Sequence, residues 1–170
     1  LFIKPNTSIV RLADPVAIPS HLGQCHFEAE MSILIAEELK AGCDEQQAQQ
    51  AIAGVGLALD LTLRDLQQQL KDKSLPWEKA KGFDHSAVIS QFISLEELHN
   101  SNNQGIHNCN FSLQKNGVEV QQGNTQMMIH NVDEIIAHVS QYFSLRIGDY
   151  IFTGTPAGVG PVAPGDELCG

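Results

Sequence analysis

The sequence lacks any apolar run that approaches the roughly 18 residues needed for a transmembrane helix. Basic residues are scarce too: 10 Lys and Arg stand against 20 Asp and Glu, and the formal net charge is −10. Nucleic acids and anionic membrane surfaces would repel such a chain overall, so neither is expected as a partner. A small anionic substrate remains compatible with this charge, provided that a metal ion and a few cations reverse the sign locally.

Cysteines are few and show no Cys-x-x-Cys spacing; they are Cys25, Cys43, Cys109 and Cys169. A chain of 170 residues can bury a sizeable core without disulfides, and its length predicts one domain. We therefore expect reduced thiols and a cytoplasmic protein.

Two motifs of common enzyme classes are also absent. There is no Gly-x-Ser-x-Gly, which argues against a serine hydrolase of that kind. The glycine-rich segment 153–160, Thr-Gly-Thr-Pro-Ala-Gly-Val-Gly, lacks the Gly-Lys-Ser/Thr of a nucleotide-binding loop. Its backbone N–H groups could hold a carboxylate, but a plain strand-to-loop turn explains the segment equally well.

Hydrophobic periodicity predicts a mixture of strands and helices. Apolar residues alternate strictly from Phe27 to Ile35, which indicates a strand. Asp44 and Gln47 resemble a capping box, and we expect the helix that follows to end at Gly54 and Gly56. Further elements are a buried strand at 55–61, a helix capped by Thr62, a hairpin around Asn116-Gly117, a helix capped by Asn131 and Glu134, and a strand at 150–152. Because strands and helices do not alternate regularly, the fold class is α+β.

Three acidic residues are candidates for a metal site. Glu28 and Glu30 lie on one face of the first strand, roughly 6.5–7 Å apart along it. Asp60 closes an apolar strand, where an acid is seldom buried without a partner or a metal. Oxygen ligands alone favour Mg²⁺ or Mn²⁺ over zinc. The alternatives are a solvated strand face for the glutamates and a turn or capping aspartate for Asp60.

Two lysines, Lys79 and Lys81, lie two positions apart in Pro-Trp-Glu-Lys-Ala-Lys. In an extended segment both would face the same way, towards a site or towards solvent. From the residues alone, a solvated basic face is the simpler interpretation, since lysines are mostly exposed.

Five segments together resemble the fumarylacetoacetate hydrolase family, in that family's order and over nearly the whole chain. The resemblance is to its small single-domain members, which include acylpyruvases, oxaloacetate decarboxylases, and isomerases or decarboxylases of homoprotocatechuate breakdown. The segments are Leu-Phe-Ile-Lys-Pro at 1–5, His-Phe-Glu-Ala-Glu-Met at 26–31, Ala-Leu-Asp-Leu-Thr-Leu-Arg-Asp at 58–65, Pro-Trp-Glu-Lys-Ala-Lys-Gly-Phe-Asp at 76–84, and 153–160.

The resemblance implies roles for individual residues and a fold. It makes Lys81, rather than Lys79, the active-site lysine. The implied fold is a set of mixed β-sheets rolled into a sandwich-like barrel with flanking helices, usually a homodimer. The implied metal ligands are Glu28, Glu30 and Asp60, and the implied substrate contacts are Arg64, Gln67 and Thr155.

The resemblance also implies a chemistry, in which a divalent ion holds a 2-oxo acid and a pyruvate enolate develops on the metal. Our first expectation is a hydrolase that cleaves a C–C bond of an acylpyruvate-like 2,4-dioxo acid. The alternative is an oxaloacetate-type decarboxylase or a 2-hydroxy-dienedioate isomerase that uses the same site. Family hydrolases carry a His-x-x-Glu pair on a lid upstream of Phe-Ile-Lys-Pro, and the printed chain starts at that stretch. We thus expect residues 1–170 to be a catalytic domain without that lid and without its last C-terminal strands, and to hydrolyse acylpyruvates very slowly. Undiminished hydrolysis would mean that the base lies within these residues, with His26 or Glu78 the first to test.

Overall fold

The described residues, 1–102 and 104–170, of this computed structural model form twelve β-strands and five α-helices, joined by loops and four short 3-10 helices. The helices are α1 (Glu45–Gln50), α2 (Arg64–Asp72), α3 (Glu78–Lys81), α4 (Leu95–Asn102) and α5 (Val132–Ser140). The strands are β1 (Ile9–Arg11), β2 (Cys25–Phe27), β3 (Ala29–Ile35), β4 (Ile52–Asp60), β5 (Thr62–Leu63), β6 (Ala87–Ile89), β7 (Ile93–Ser94), β8 (Asn110–Lys115), β9 (Val118–Asn124), β10 (Tyr150–Phe152), β11 (Gly160–Val162) and β12 (Leu168–Cys169).

The strands form three sheets. The largest has the order β1-β6-β4-β3-β10, with β7 also paired to β4; β1 and β6 run parallel, and the other pairs are antiparallel. Two three-stranded sheets have the orders β11-β2-β5 and β12-β8-β9. These mixed sheets confirm the predicted α+β class, although within the described residues no sheet closes into a barrel.

Two apolar clusters form the core. One packs β3 and β4 against α1 and α5, with Ile33 and Ile136 fully buried. The other joins β2, β4 and β5 to β8 and includes Phe27 and Leu113. Both clusters include residues of β3 and β4. The polar residues at the β2–β3 break and at the end of β4 therefore lie next to the packed core.

The predicted end of the first helix is wrong. The capping box of Asp44 and Gln47 is present, but α1 ends at Gln50 and the chain enters β4 at Ile52. Gly54 lies within β4, where a Cβ atom would stand 2.4 Å from the carbonyl oxygen of Ile93. The glycine is required by the close approach of β7, which periodicity within one segment does not reveal.

The predicted cap at Thr62 is also wrong, because the N-cap of α2 is Leu63 and it makes no side-chain cap hydrogen bond. Lys79 and Lys81 do not lie in an extended segment. They belong to the short helix α3, in which Lys79 is exposed and Lys81 is buried. In a helix, positions two apart point to different sides, so these lysines do not share a face.

Other predicted elements are confirmed. The hairpin around Asn116 consists of β8 and β9, with Asn116 at a φ of 52°. Asn131 and Glu134 form the capping box of α5, and β10 covers 150–152. Among the described residues, no helix combines the length and the apolar character needed to cross a membrane.

Candidate active site

Three carboxylates meet at the point where β2 passes into β3. Glu28 occupies the break between these strands, Glu30 follows on β3, and Asp60 ends the neighbouring β4. The Asp60 N–H donates to the Glu28 carbonyl at 2.9 Å, which holds the two segments in register. One carboxylate oxygen from each residue lies within 4.8 Å of the others, a separation that one cation can bridge.

The solvated-face interpretation of the glutamates is wrong. Glu28 is 9% exposed, Glu30 5% and Asp60 2%. The strand β3 lies between β4 and β10, so it is not an edge strand either. Burying three carboxylates together costs free energy unless cations compensate their charge.

Lys81 supplies part of that compensation. Its side chain is 3% exposed, and its Nζ donates to Asp60 Oδ2 at 2.6 Å, to Glu28 Oε2 at 2.9 Å and to Thr62 Oγ1 at 2.6 Å. Three acceptors use all three protons of an ammonium group. The Thr62 hydroxyl in turn donates to Glu28 Oε1 at 3.1 Å, which explains why this residue is drawn into the site rather than capping α2.

Lys4 is a second buried cation, to which the sequence analysis assigned no role. Its Nζ lies 2.7 Å from Asp60 Oδ1 in an ion pair and donates to the backbone carbonyls of Lys81 and Ser86. Burial lowers the pKa of Lys4, against the opposing effect of Asp60. The stretch Phe-Ile-Lys-Pro was among the segments that carry the family resemblance, and a lysine between apolar residues and a proline was the available signal.

The two glutamates differ electrostatically. Burial acts to raise the pKa of Glu28, but Lys81 and Arg64 outweigh it and leave that pKa below its usual range. Burial, reinforced by the charge of Asp60, raises the pKa of Glu30 to about 8, although the Gly154 N–H opposes the shift. In this arrangement Glu28 is held as the anion, while Glu30 takes up a proton near neutral pH.

Arg64 and Gln67, predicted as substrate contacts, lie at the start of α2 beside the carboxylates. Arg64 donates to Glu28 Oε1 at 2.6 Å and to Gln67 Oε1 at 2.8 Å. The side chain of Arg64 is 32% exposed, whereas Gln67 is 4% exposed. Both residues line the same cavity as the carboxylates.

Thr155 also lines the cavity, from the loop between β10 and β11. Its hydroxyl donates to the carbonyl of Ala29 at 2.8 Å, and the preceding Gly154 N–H donates to Glu30 Oε2 at 2.6 Å. The loop therefore does hold a carboxylate through a backbone N–H, as one interpretation of its sequence suggested. That carboxylate belongs to the protein itself.

These residues share a cavity of about 810 Å³. Its cations are Lys4, Arg64, Lys71 and Lys81, and the aromatic rings of Phe2 and Trp77 belong to its wall. Local positive charge is thus available despite the net charge of −10. No histidine lines the cavity among the described residues, and neither His26 nor Glu78 reaches it.

The donor set fits a hard divalent cation. Carboxylate oxygens are the ligands that Mg²⁺ and Mn²⁺ prefer, and no thiol or imidazole lies among the three. Asp60 Oδ1 is buried and receives no well-directed hydrogen bond, although Lys4 stands close to it as an ion-pair partner. Such an oxygen has a lone pair available to a metal ion.

Comparison with known proteins supplies a family and several relatives. The family model "Fumarylacetoacetate (FAA) hydrolase C-terminal" matches residues 1–169. Oxaloacetate tautomerase YcgM of Escherichia coli is 47% identical over 168 residues, which cover 99% of this chain and 74% of that protein. The mitochondrial oxaloacetate decarboxylase of Dictyostelium discoideum is 39% identical, with 99% and 76% covered. The crystal structure of fumarylpyruvate hydrolase from Pseudomonas aeruginosa in complex with Mn²⁺ and pyruvate superposes with a TM-score of 0.88 at 33% identity, with 98% of this chain and 71% of that chain covered.

Proposed function

Because the chain belongs to the fumarylacetoacetate hydrolase family, we propose that it catalyses the enol–keto tautomerisation of oxaloacetate or a closely similar 2-oxo diacid. The observation that carries this proposal is the position of Lys81. Its Nζ is shielded from solvent, lies in the cavity and is surrounded by the carboxylate cluster. Tautomerisation needs a proton carrier at carbon and a stabilised enolate, and this arrangement offers both.

The metal ion would be held by Glu28, Glu30 and Asp60, with Mg²⁺ and Mn²⁺ as the candidates. When bound, it supplies a Lewis acid that polarises the 2-oxo oxygen and a template for the substrate carboxylate. That the Pseudomonas aeruginosa relative was crystallised with Mn²⁺ and pyruvate supports this assignment.

Lys81 would carry the proton at C3 of the substrate. In the ketonisation direction a C3–H bond forms with a proton from Lys81, and the enol O–H bond breaks. The proton from the enol oxygen passes to solvent and Lys81 regains a proton from solvent, so no net proton is gained or lost. The electron pair of the C2=C3 bond forms the new C–H bond, and the O–H pair becomes the carbonyl π bond. Thr62, which accepts a hydrogen bond from Lys81 and donates one to Glu28, fixes the direction of the ammonium group.

Arg64 and Gln67 would orient the diacid. The guanidinium of Arg64 is partly exposed on the cavity wall, where it can meet a substrate carboxylate, and its bond to Gln67 fixes its plane. Positive charge at this position also stabilises the enolate that develops on proton loss.

Two other outcomes of the same site are second candidates. Decarboxylation of oxaloacetate leaves a pyruvate enolate that Lys81 can protonate, and the Dictyostelium discoideum relative favours it. The predicted C–C hydrolysis is favoured by the similarity to fumarylpyruvate hydrolase. Hydrolysis additionally requires a base that activates water, and His26 and Glu78 lie away from the described cavity wall. The Escherichia coli tautomerase is 47% identical to this chain and the hydrolase 33%, so tautomerisation is the first proposal and hydrolysis stays a prediction.

The test measures the decay of enol-oxaloacetate by ultraviolet absorbance with purified, full-length, metal-loaded protein, after subtraction of the rate caused by the free ion. We expect acceleration that chelation abolishes, that Asp60→Asn removes at ordinary metal concentrations, and that Lys79→Met leaves unchanged. Parallel assays follow pyruvate formation from oxaloacetate and cleavage of fumarylpyruvate.

A wild-type protein that cleaves fumarylpyruvate rapidly but does not accelerate ketonisation would overturn the proposal in favour of hydrolysis. Rapid pyruvate formation without ketonisation would favour the decarboxylase. The homodimer implied by the family resemblance also stays a prediction, and multi-angle light scattering of the same preparation tests it.

A further inference from the structure

A buried polar side chain, that of Gln121, lies next to the candidate site without lining the cavity or hydrogen-bonding to its three carboxylates. Gln121 lies on β9, in a different sheet from the metal-ligand strands, and is 2% exposed. Its Oε1 accepts from the Ala29 N–H at 2.9 Å. Its Nε2 donates to Thr155 Oγ1 at 2.9 Å and to the Pro156 carbonyl at 3.1 Å. One amide thus bridges the segment that carries Glu28 and Glu30 and the loop between β10 and β11.

The bridge occurs where strand pairing runs out. On the β10 side of β3, the last paired residue of β10 is Phe152, opposite Ser32, and beyond it Thr153 N–H and Oγ1 donate to the Met31 carbonyl. The N–H of Ala29 is then satisfied by the side chain of Gln121, and its carbonyl by the side chain of Thr155. Two side chains replace a neighbouring strand at the residue between Glu28 and Glu30.

The partners of Gln121 fix the orientation of its carboxamide group. A carboxamide can accept from an N–H while donating to a hydroxyl and a carbonyl, and reversing it would set its oxygen against the Pro156 carbonyl. Since Gln121 donates to Thr155 Oγ1, the Thr155 proton is committed to the Ala29 carbonyl. The orientation of the Thr155 hydroxyl therefore depends on Gln121.

The loop is also packed against β9 at this point. A Cβ atom on Gly158 would lie 2.4 Å from the Val120 carbonyl oxygen and 3.2 Å from Gln121 Cγ. The same loop supplies the Gly154 N–H that binds Glu30 Oε2. A displacement of Gln121 would thus reach Glu30 by two routes, through Ala29 and through the loop.

We infer that Gln121 is a positioning residue that holds Glu28 and Glu30 in the geometry required for metal binding and fixes the direction of the Thr155 hydroxyl. The inference rests on the proposed function only in requiring that the carboxylates bind a divalent ion. Partners of this kind, one step removed from the ligands, typically change metal affinity by 10–100-fold when replaced.

The test uses the full-length protein and two variants on the same strand. Gln121→Met keeps the length and removes both hydrogen-bonding groups, while Gln122→Met, at an exposed neighbouring position, is the matched control. Amide exchange of Ala29 is measured in the metal-free protein, and the Kd for Mn²⁺ is measured by the electron paramagnetic resonance of the free ion.

For Gln121→Met we expect at least about tenfold faster exchange at Ala29 and a Kd for Mn²⁺ raised by about 10–100-fold. Gln122→Met should change neither. Faster exchange at Ala29 with an unchanged Kd would overturn the inference, because Gln121 would then support the fold alone. Unchanged exchange would overturn it as well. Failure of the wild-type protein to bind Mn²⁺ would instead contradict the proposed function.

If Gln121→Met does not fold, Gln121→Glu provides the answer. It keeps the acceptor for the Ala29 N–H but loses both donors to the loop. We expect the Ala29 amide to stay protected while the Gly154 amide exchanges at least about tenfold faster and the Kd for Mn²⁺ rises. Exchange at Gly154 and a Kd both equal to wild type would overturn the inference.

Discussion

The ammonium nitrogen of Lys81 lies 2.6 Å from Oδ2 of Asp60, and each side chain is 3% exposed. Lys81 therefore stands where it neutralises a proposed metal ligand and where it can also reach a substrate in the cavity. A cation in this position opposes the binding of a metal ion electrostatically, while it assists the reaction of a bound anionic substrate. The two effects should separate on mutation.

Lys81→Met retains most of the side-chain volume and removes the charge. We expect turnover to fall by roughly two to four powers of ten, the usual contribution of a positioned acid or base. The Kd for Mn²⁺ should stay equal or decrease, because a competing cation has been removed from Glu28 and Asp60. Calorimetry and the ketonisation assay on one preparation test both.

Lys79→Met is the control, since this lysine is exposed on the same short helix. It should leave turnover and Mn²⁺ binding near wild type. If Lys81→Met loses Mn²⁺ binding in proportion to its activity, the lysine supports the integrity of the site and is not the proton carrier.

Metal binding should release a proton from Glu30. In the metal-free protein, burial raises the pKa of this carboxyl to about 8, whereas a metal ion binds the carboxylate form. Below pH 8 the ion must displace the proton, so the affinity for Mn²⁺ should increase as the pH rises and level off above about pH 8. Calorimetry in two buffers of different ionisation enthalpy counts the protons released.

The comparison between pH 6.5 and pH 9 provides the internal control for this prediction. We expect close to one proton released at the lower pH and markedly fewer at the higher one. An equal number at both values would show that Glu30 is already ionised before the metal ion arrives.

The three carboxylates could be singled out as candidates from local sequence patterns. Glu28 and Glu30 alternate with apolar residues, and Asp60 closes an apolar strand, so the pattern made them candidates and the family resemblance made them the implied ligands. The structure brings the three carboxylates together. Lys81 was selected over Lys79 by the family resemblance alone. The physical reason for the choice, a helical turn that buries one lysine and exposes the other, became visible in α3.

The rest of the site depends on contacts between distant segments. Lys4, near the start of the chain, reaches Asp60 at the end of β4, and Gln121 reaches Ala29 across 92 positions. Thr62 has the side chain of a good helix cap but is used as a hydrogen-bond partner of Lys81. Local propensity yields to tertiary contacts at such positions, and a single sequence carries no record of those contacts.

Lys4→Met tests the missed cation. Its loss leaves Asp60 Oδ1 without its ion-pair partner, although Lys81 still binds Oδ2. We expect the free energy of unfolding of the metal-free protein to fall by about 1.5–3 kcal/mol, the range for hydrogen bonds to charged groups. Saturating Mn²⁺ should reduce this difference, because the ion then compensates Asp60.

Lys40→Met, at an exposed lysine, is the control and should leave the free energy of unfolding unchanged. Denaturant unfolding with and without Mn²⁺ measures both variants. A deficit for Lys4→Met that is the same in the two conditions would mean that Lys4 stabilises the fold through the carbonyls of Lys81 and Ser86 rather than through Asp60.

Gly54→Ala tests the physical reason for the glycines in β4. The added Cβ would stand 2.4 Å from the Ile93 carbonyl oxygen, so β7 must move away from β4. Overpacking of this kind costs about 1–3 kcal/mol.

Gly56→Ala is a graded comparison, because the atoms nearest to its added Cβ, the Gln91 carbonyl oxygen and Ser90 Oγ, lie at 3.0 Å. We expect thermal unfolding to show a larger loss for Gly54→Ala than for Gly56→Ala, while Mn²⁺ affinity stays near wild type in both, since the carboxylates lie at the other end of the strand. Equal losses, or no loss at Gly54, would show that the contact with β7 yields readily, and the glycine would then need another explanation.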